Sequence, residues 1–184
     1  MEPYKNPSFA AILGRWQPVH LGHQAALQSL CSRFDRVVIG IGSSNIHDYR
    51  NPFSLAEVKD MLRLSIGNYT NFTLLPIPDI IDDRAWCKEV VNTFGQLEYF
   101  ITANPYVKTL LDDNYLVSHP ANFIPEERKI AVSASMVRRQ MAQGGDWPTL
   151  VPQKVSQYIL TQNLDERFRK EFGLHTLAIE LMIV

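Results

Sequence analysis

Five apolar residues running straight into a glycine, an arginine and a helical pattern leave a chain few folding options. Phe9 to Leu13 reads as a buried strand and Gly14 as the turn that ends it. From Leu21 to Phe34, Leu27, Leu30, Cys31 and Phe34 recur at helical spacing. Arg36 to Gly42 follows, rich in β-branched residues and bounded by glycine, and predicts a second buried strand. Two buried strands joined by a helix pair in parallel, because a short hairpin cannot join parallel strands. The spacing therefore predicts an α/β chain with a Rossmann-like, doubly wound parallel sheet and helices on both faces. Ligands in such a sheet bind at the carboxyl ends of the strands, so the turn after the first strand is the place to look for chemistry.

That turn reads Gly14-Arg15-Trp16-Gln17-Pro18-Val19-His20-Leu21-Gly22-His23. A helix starts beside the two histidines, and its free N–H groups and positive dipole end suit a phosphate. His20 and His23 share a face, Gly22 lets an anion approach the backbone, and Arg15 adds a fork-shaped cation. Each piece alone also fits an ordinary turn and helix start; together they favour an anionic ligand.

Further along, Gly42-Ser43-Ser44-Asn45 forms a loop at the second strand's end. Asn51-Pro52-Phe53 enters a helix with Ser54 and Glu57 as a capping box. Arg50, just before it, reaches a triphosphate or stays solvated. Phe72 to Ile77 predicts a third strand, and Arg84 to about Phe94 a helix capped by Asp82 or Asp83 with Trp86 in its first turn. Leu97 to Thr102 predicts a fourth strand, and Asn104-Pro105 a helix start. Asn114 to Ser118 adds a short edge strand, with Phe123-Ile124 as a possible extension. Val132 to Arg138 sets Ser133 and Ser135 at another helix start, with Met136, Val137 and Met141 as its apolar helical pattern and Arg138 one turn in, able to reach the same anion. Gly144 to Trp147 breaks the chain, with Trp147 as a structural anchor. Leu150-Val151-Pro152 opens the next helix, and Asn163 and Glu166 are candidates to cap a last one. The apolar tail from Leu174 to Val184 reads as a terminal strand, a subunit contact, or the start of a further domain in a longer protein. The expected division is 1–162 as the site-bearing domain and 163–184 as a C-terminal helix and apolar tail, a candidate oligomer contact.

The sequence has 184 residues, with 18 basic and 19 acidic side chains, which argues against broad attraction to nucleic acid. Arg138-Arg139 is too short a cluster to change that. Pro3, Pro7 and the lack of a long apolar run lead us to expect no signal peptide, no membrane span and a cytoplasmic protein. Cys31 and Cys87 have no metal-type spacing and are expected as reduced thiols. No metal-ligand cluster is expected.

Gly14 to His23 resembles the GRFQPxHxGH signature of the HxGH nucleotidyltransferase superfamily, with Trp16 in place of phenylalanine. Ser133-Ala134-Ser135-Met136-Val137-Arg138 resembles that superfamily's ISSTxxR motif. The Asn51-Pro52-Phe53, Pro78-Asp79…Trp86, Asn104-Pro105 and Gly145-Asp146-Trp147 elements resemble the archaeal-type nicotinamide mononucleotide (NMN) adenylyltransferases. The resemblance runs from about Ile12 to Leu160. It implies transfer of AMP from ATP to NMN, giving NAD and pyrophosphate, with Mg²⁺ carried by the ATP, and assembly as a homo-oligomer. It implies that His20, His23 and Arg138 are catalytic, and that Gly14, Arg15, Gln17, Gly22, Ser133 and Ser135 join them around ATP. It places Trp16, Asp79, Trp86 and Asn104 on the NMN side, with Trp86 stacking on the base. Nicotinate mononucleotide, FMN or phosphopantetheine as acceptor, and a non-catalytic nucleotide sensor, stay open.

Overall fold

A computed structural model describes residues 8–181. Pro3 and Pro7, and the last three residues of the apolar tail, lie outside the described residues. The elements are β1 (Phe9–Gly14), α1 (Leu21–Arg33), β2 (Arg36–Ile41), α2 (Leu55–Ile66), β3 (Phe72–Pro76), α3 (Asp83–Phe94), β4 (Tyr99–Ile101), α4 (Pro105–Leu111) and β5 (Val117–Ser118), then α5 (Ala134–Gln143), α6 (Gln153–Thr161), α7 (Leu164–Phe168) and α8 (Leu174–Leu181). The five strands form one sheet in the order β3-β2-β1-β4-β5, and every pairing is parallel.

Alternation along each strand divides the core in two. Ala10 and Ile12 of β1, Val37, Ile39 and Ile41 of β2, and Ile101 of β4 face the larger cluster. With them are Leu27 and Leu30 of α1, Met61 of α2, Val137 of α5 and Val155 of α6. Ala11, Leu13, Val38 and Phe100 point to the opposite face, where Val90 and Phe94 of α3 and Leu111 of α4 cover them. Successive side chains leave a strand on opposite faces, so strands buried on both sides read as unbroken apolar runs.

The order of strands reverses between β1 and β4. One crossover leaves β1 for β2 and then β3, and the next returns past β1 to β4. The carboxyl ends of β1 and β4 therefore open into a crevice that no crossover helix fills.

Local chemistry sets several boundaries as expected. Ser54 Oγ accepts from Glu57 N–H while the Glu57 carboxylate accepts from Ser54 N–H. Asp82, rather than Asp83, caps α3 through Ala85 N–H. Asn104 caps α4 by accepting from Tyr106 N–H, with Pro105 at the first helical position. Trp147 is buried in the larger cluster.

Four expectations need correction. Phe123 and Ile124 are not strand: Phe123 follows a 3₁₀ turn, Pro120–Asn122, and packs in the core near Phe34 and Tyr99. Met136 does not share the buried stripe of α5; it is exposed, while Val137 and Met141 are buried. Asn163 occupies the cap position of α7 in a left-handed conformation, yet its side chain makes no capping bond. The tail is not a strand as far as it is described. A π-helical turn, Arg169–Gly173, links α7 to α8, so helical backbone bonding carries into it.

Candidate active site

β1 delivers Gly14 to the crevice, and the next four residues turn sharply. A Cβ at Gly14 would lie 3.0 Å from the indole of Trp16, so only glycine lets that ring fold back. Trp16 has φ 60°, an uncommon conformation for a side chain of this size. Its indole Nε1 donates to Gly40 O at 2.8 Å and only 2 % of the residue is exposed. The ring of Trp16 is turned into the core, edge-on to His23, so its indole does not face the crevice. Gln17 is also turned inward. Its Nε2 donates to Phe53 O and its Oε1 accepts from Phe53 N–H, at 3.0 and 2.9 Å. Both ends of the carboxamide hold the Asn51-Pro52-Phe53 segment against this loop.

His20 and His23 cap α1 reciprocally. His23 N–H donates to His20 Nδ1, and His20 N–H donates to His23 Nδ1, both at 3.3 Å. The rings stack with centres 3.5 Å apart. An Nδ1 that accepts a backbone proton carries none of its own, so in each neutral imidazole the proton sits on Nε2. The cap thus sets the tautomer and leaves two N–H donors side by side. Gly22 makes room for this: a Cβ there would meet the His20 ring at 3.2 Å and Ile130 O at 3.4 Å.

Burial pushes the His20 imidazole down to about 4. Burial, and after it the neighbouring His20, holds His23 well below the ordinary histidine range. Both rings are neutral at pH 7. The neutral form of His20 contributes stability that is whole above the unfolded value of 6.5 and is lost as pH falls through about 4, and His23 adds to that loss in the same direction. For His20 alone the loss by pH 5 should be about 2 kcal/mol. Urea midpoints at pH 7.5 and pH 5 test this: the native chain should fall clearly, and His20→Asn should fall less. Equal falls would contradict the assignment.

On α5, Ser133 is the cap, accepting from Met136 N–H, and its hydroxyl lies 2.9 Å from that of Ser135. Arg138 is buried, and its Nη1 donates to Gln17 O at 2.6 Å, tying α5 to the histidine loop across the sheet edge. Its Nε is buried without a protein partner. Burial first, then Arg15 and Arg50, bring its guanidinium down to about 10, so it stays charged at pH 7. Arg15 and Arg50 are thus within electrostatic reach of Arg138, a gathering of positive charge that favours an anion.

Beside the Arg15 end of this cluster runs a cleft of about 790 Å³. Gly14 and Arg15 come from the end of β1 and Arg50 from the loop before α2; Asp79 comes from the β3–α3 connection, Asp83 and Trp86 from the first turn of α3, and Asn104 and Tyr106 from the start of α4. The cleft therefore brings Gly14, Arg15, Asp79, Trp86 and Asn104 together. His20, His23, Ser133, Ser135 and Arg138 are not among its lining residues; the Arg138–Gln17 bond ties α5 to the loop that follows Gly14 and Arg15. Asn45 holds the backbone of Asp79, accepting from its N–H at 2.8 Å and donating to its O at 3.1 Å. The Tyr106 hydroxyl donates to the Asp83 carboxylate at 2.7 Å, across the mouth.

Asp83 and Tyr106 carry no signal in the sequence beyond a capping candidate and a residue after proline. Their pairing joins two helices, 23 residues apart. Among the described residues no three His, Cys, Asp or Glu side chains come together to hold a metal ion, and no helix is long and apolar enough to cross a membrane.

Residues 11–140 match the family model described as cytidylyltransferase-like. The chain is 36% identical over 153 residues to a nicotinamide-nucleotide adenylyltransferase of Thermococcus kodakarensis, covering 80% of each chain. It is 35% identical over 162 residues to the protein of the same name from Pyrococcus abyssi, covering 86% of each. Among solved structures it is similar to a bifunctional NMN adenylyltransferase/ADP ribose pyrophosphatase from Francisella tularensis, complexed with AMP and a Mn ion. That likeness has a TM-score of 0.70 at 16% identity and spans 97% of this chain and 56% of the other, and it bears on the fold.

Proposed function

We infer the chemistry from membership: this chain belongs to the cytidylyltransferase-like family and, within it, to the nicotinamide-nucleotide adenylyltransferases. It transfers AMP from ATP to NMN, giving NAD and pyrophosphate. The observation that carries the reading for these particular residues is the single cleft joining Gly14 and Arg15, at the start of the turn that leads to the paired histidines, to Trp86 and Asn104.

The phosphate of NMN is already ionised, so it attacks the α-phosphorus of ATP without a general base. The new P–O bond forms in line as the bond to the bridging β-oxygen breaks, and pyrophosphate leaves with that electron pair. Positioning and charge stabilisation are what the protein adds. The Nε2–H groups of His20 and His23, held by the reciprocal cap, donate to α- and β-phosphate oxygens, next to the N-terminus of α1. Arg138, with the Ser133 and Ser135 hydroxyls, takes the β/γ side. Arg15 and Arg50 neutralise charge on the triphosphate or the incoming phosphate. Trp86 offers its face to the nicotinamide ring, and Asp79 and Asn104 take polar groups of the same nucleotide. Mg²⁺ enters as Mg-ATP, held by phosphate oxygens and water, in keeping with the lack of a carboxylate cage among the described residues. The same proposal has the enzyme working as a homo-oligomer in the cytoplasm.

Mixing the protein with Mg-ATP and, separately, NMN, nicotinate mononucleotide, FMN and phosphopantetheine tests it. NMN should give NAD with the highest kcat/KM. Faster use of another acceptor would overturn the nicotinamide assignment, and no product from any would overturn the enzyme reading. Light scattering tests the oligomer.

A further inference from the structure

The segment after residue 162 does more than close the fold: it docks on the loop that presents Arg50. Arg167 forms a two-point pair with Glu57, Nη1 to Oε1 at 2.6 Å and Nη2 to Oε2 at 2.7 Å. The same Nη2 donates to Pro52 O at 3.2 Å. The His47 ring lies edge-on to Phe172, with Nε2 3.6 Å from Glu171. Tyr49 stacks on His175 of α8, the ring centres 4.5 Å apart and the planes 28° from parallel. The Arg50 guanidinium stands 5.3 Å from the centre of that same Tyr49 ring.

The backbone on the loop's other side is fixed too. Asp48 Oδ1 accepts from the N–H groups of both Arg50 and Asn51 at 2.8 Å. Arg50 itself is exposed and, among the described residues, no carboxylate is paired with its guanidinium. A long side chain in that position loses rotamer freedom when it engages a ligand. An aromatic shelf already beneath it reduces that loss, because a planar guanidinium stacks on a ring face.

We propose that the C-terminal segment is a positioning device for the nucleotide site: His175 fixes the Tyr49 ring, and Tyr49 fixes the direction in which Arg50 enters the cleft. This rests on the reading that Arg50 meets the polyphosphate. His175 is a positioning residue and touches no substrate.

The test uses the full chain and compares His175→Ala, His175→Phe, Tyr49→Phe and Arg50→Ala with the double variant His175→Ala/Arg50→Ala. His175 is exposed, so its removal leaves no core cavity. His175→Ala should raise the KM for ATP about threefold to tenfold and leave the KM for NMN within about twofold. His175→Phe and Tyr49→Phe should behave like the native chain, since both keep the stacked faces. In the Arg50→Ala background, His175→Ala should add nothing further. An unchanged ATP KM in His175→Ala, or an equal rise with and without Arg50, would overturn the positioning role while leaving Arg50 in the site. An unchanged ATP KM in Arg50→Ala would overturn the polyphosphate reading of Arg50, and the positioning role with it.

Discussion

His20→Asn should cost about 10²–10³-fold in kcat/KM while leaving the fold nearly as stable as before. His20 does two things that this substitution separates. As the cap of α1 it accepts from His23 N–H through Nδ1. As a donor it presents Nε2–H towards the place assigned to the α- and β-phosphates. Asparagine is among the best capping residues, so the first role survives. Its amide is shorter than the imidazole and cannot hold a donor where Nε2 stands. His20→Ala loses both roles. It should show the same rate loss and also a melting temperature lower by about 2–4 °C, the expected shift for ~1 kcal/mol of lost capping in a chain of this size. If His20→Asn kept near-native kcat/KM, the paired imidazoles would be a capping device only, and the charge stabilisation would fall to the arginines.

The contrast between these roles reflects what is legible in a sequence. Periodicity was enough for β1, α1 and β2, because strands buried on both faces and a helix with one apolar stripe leave different patterns. Short-range chemistry was enough for the Ser54–Glu57 box and the Asn104-Pro105 start, because the interacting groups lie within one turn. The motif around His20 and His23 did not carry the direction in which Trp16 and Gln17 point. That direction depends on a left-handed backbone at Trp16 and on partners at Gly40 and Phe53, far away in the chain. The Tyr106–Asp83 pair escaped notice for the same reason: it exists only once α3 and α4 are side by side. The tail misled because Leu174 to Val184 is mostly apolar, broken only by His175, Thr176 and Glu180, and so short an apolar run does not distinguish a strand from a helix. Its helical state follows from the π-helical turn before it, which no local pattern announces.

Trp86→Ala should raise the KM for NMN by about tenfold to a hundredfold and move the KM for ATP by less than about threefold. Stacking of one base on an aromatic side chain is worth about 1–3 kcal/mol by alanine substitution, which spans that range. The asymmetry follows from position. Trp86 sits in the first turn of α3, its N–H bonded to Asp82 O at 2.9 Å, and lines the cleft from a different element than Arg15 and Arg50. Its ring also packs partly against the smaller core cluster, beside Cys87. A stability loss alone would lower the amount of active enzyme and reduce the rate with both substrates alike, leaving both KM values in place. A selective rise for NMN cannot arise that way. Trp86→Phe sharpens the comparison, because it keeps a ring face for the base while shrinking the contact, and it should recover most of the NMN affinity. If Trp86→Ala instead left the NMN KM unchanged, the indole would be a packing residue of α3, and the acceptor base would have to be held by Asp83, Asn104 and Tyr106 without a stacking partner.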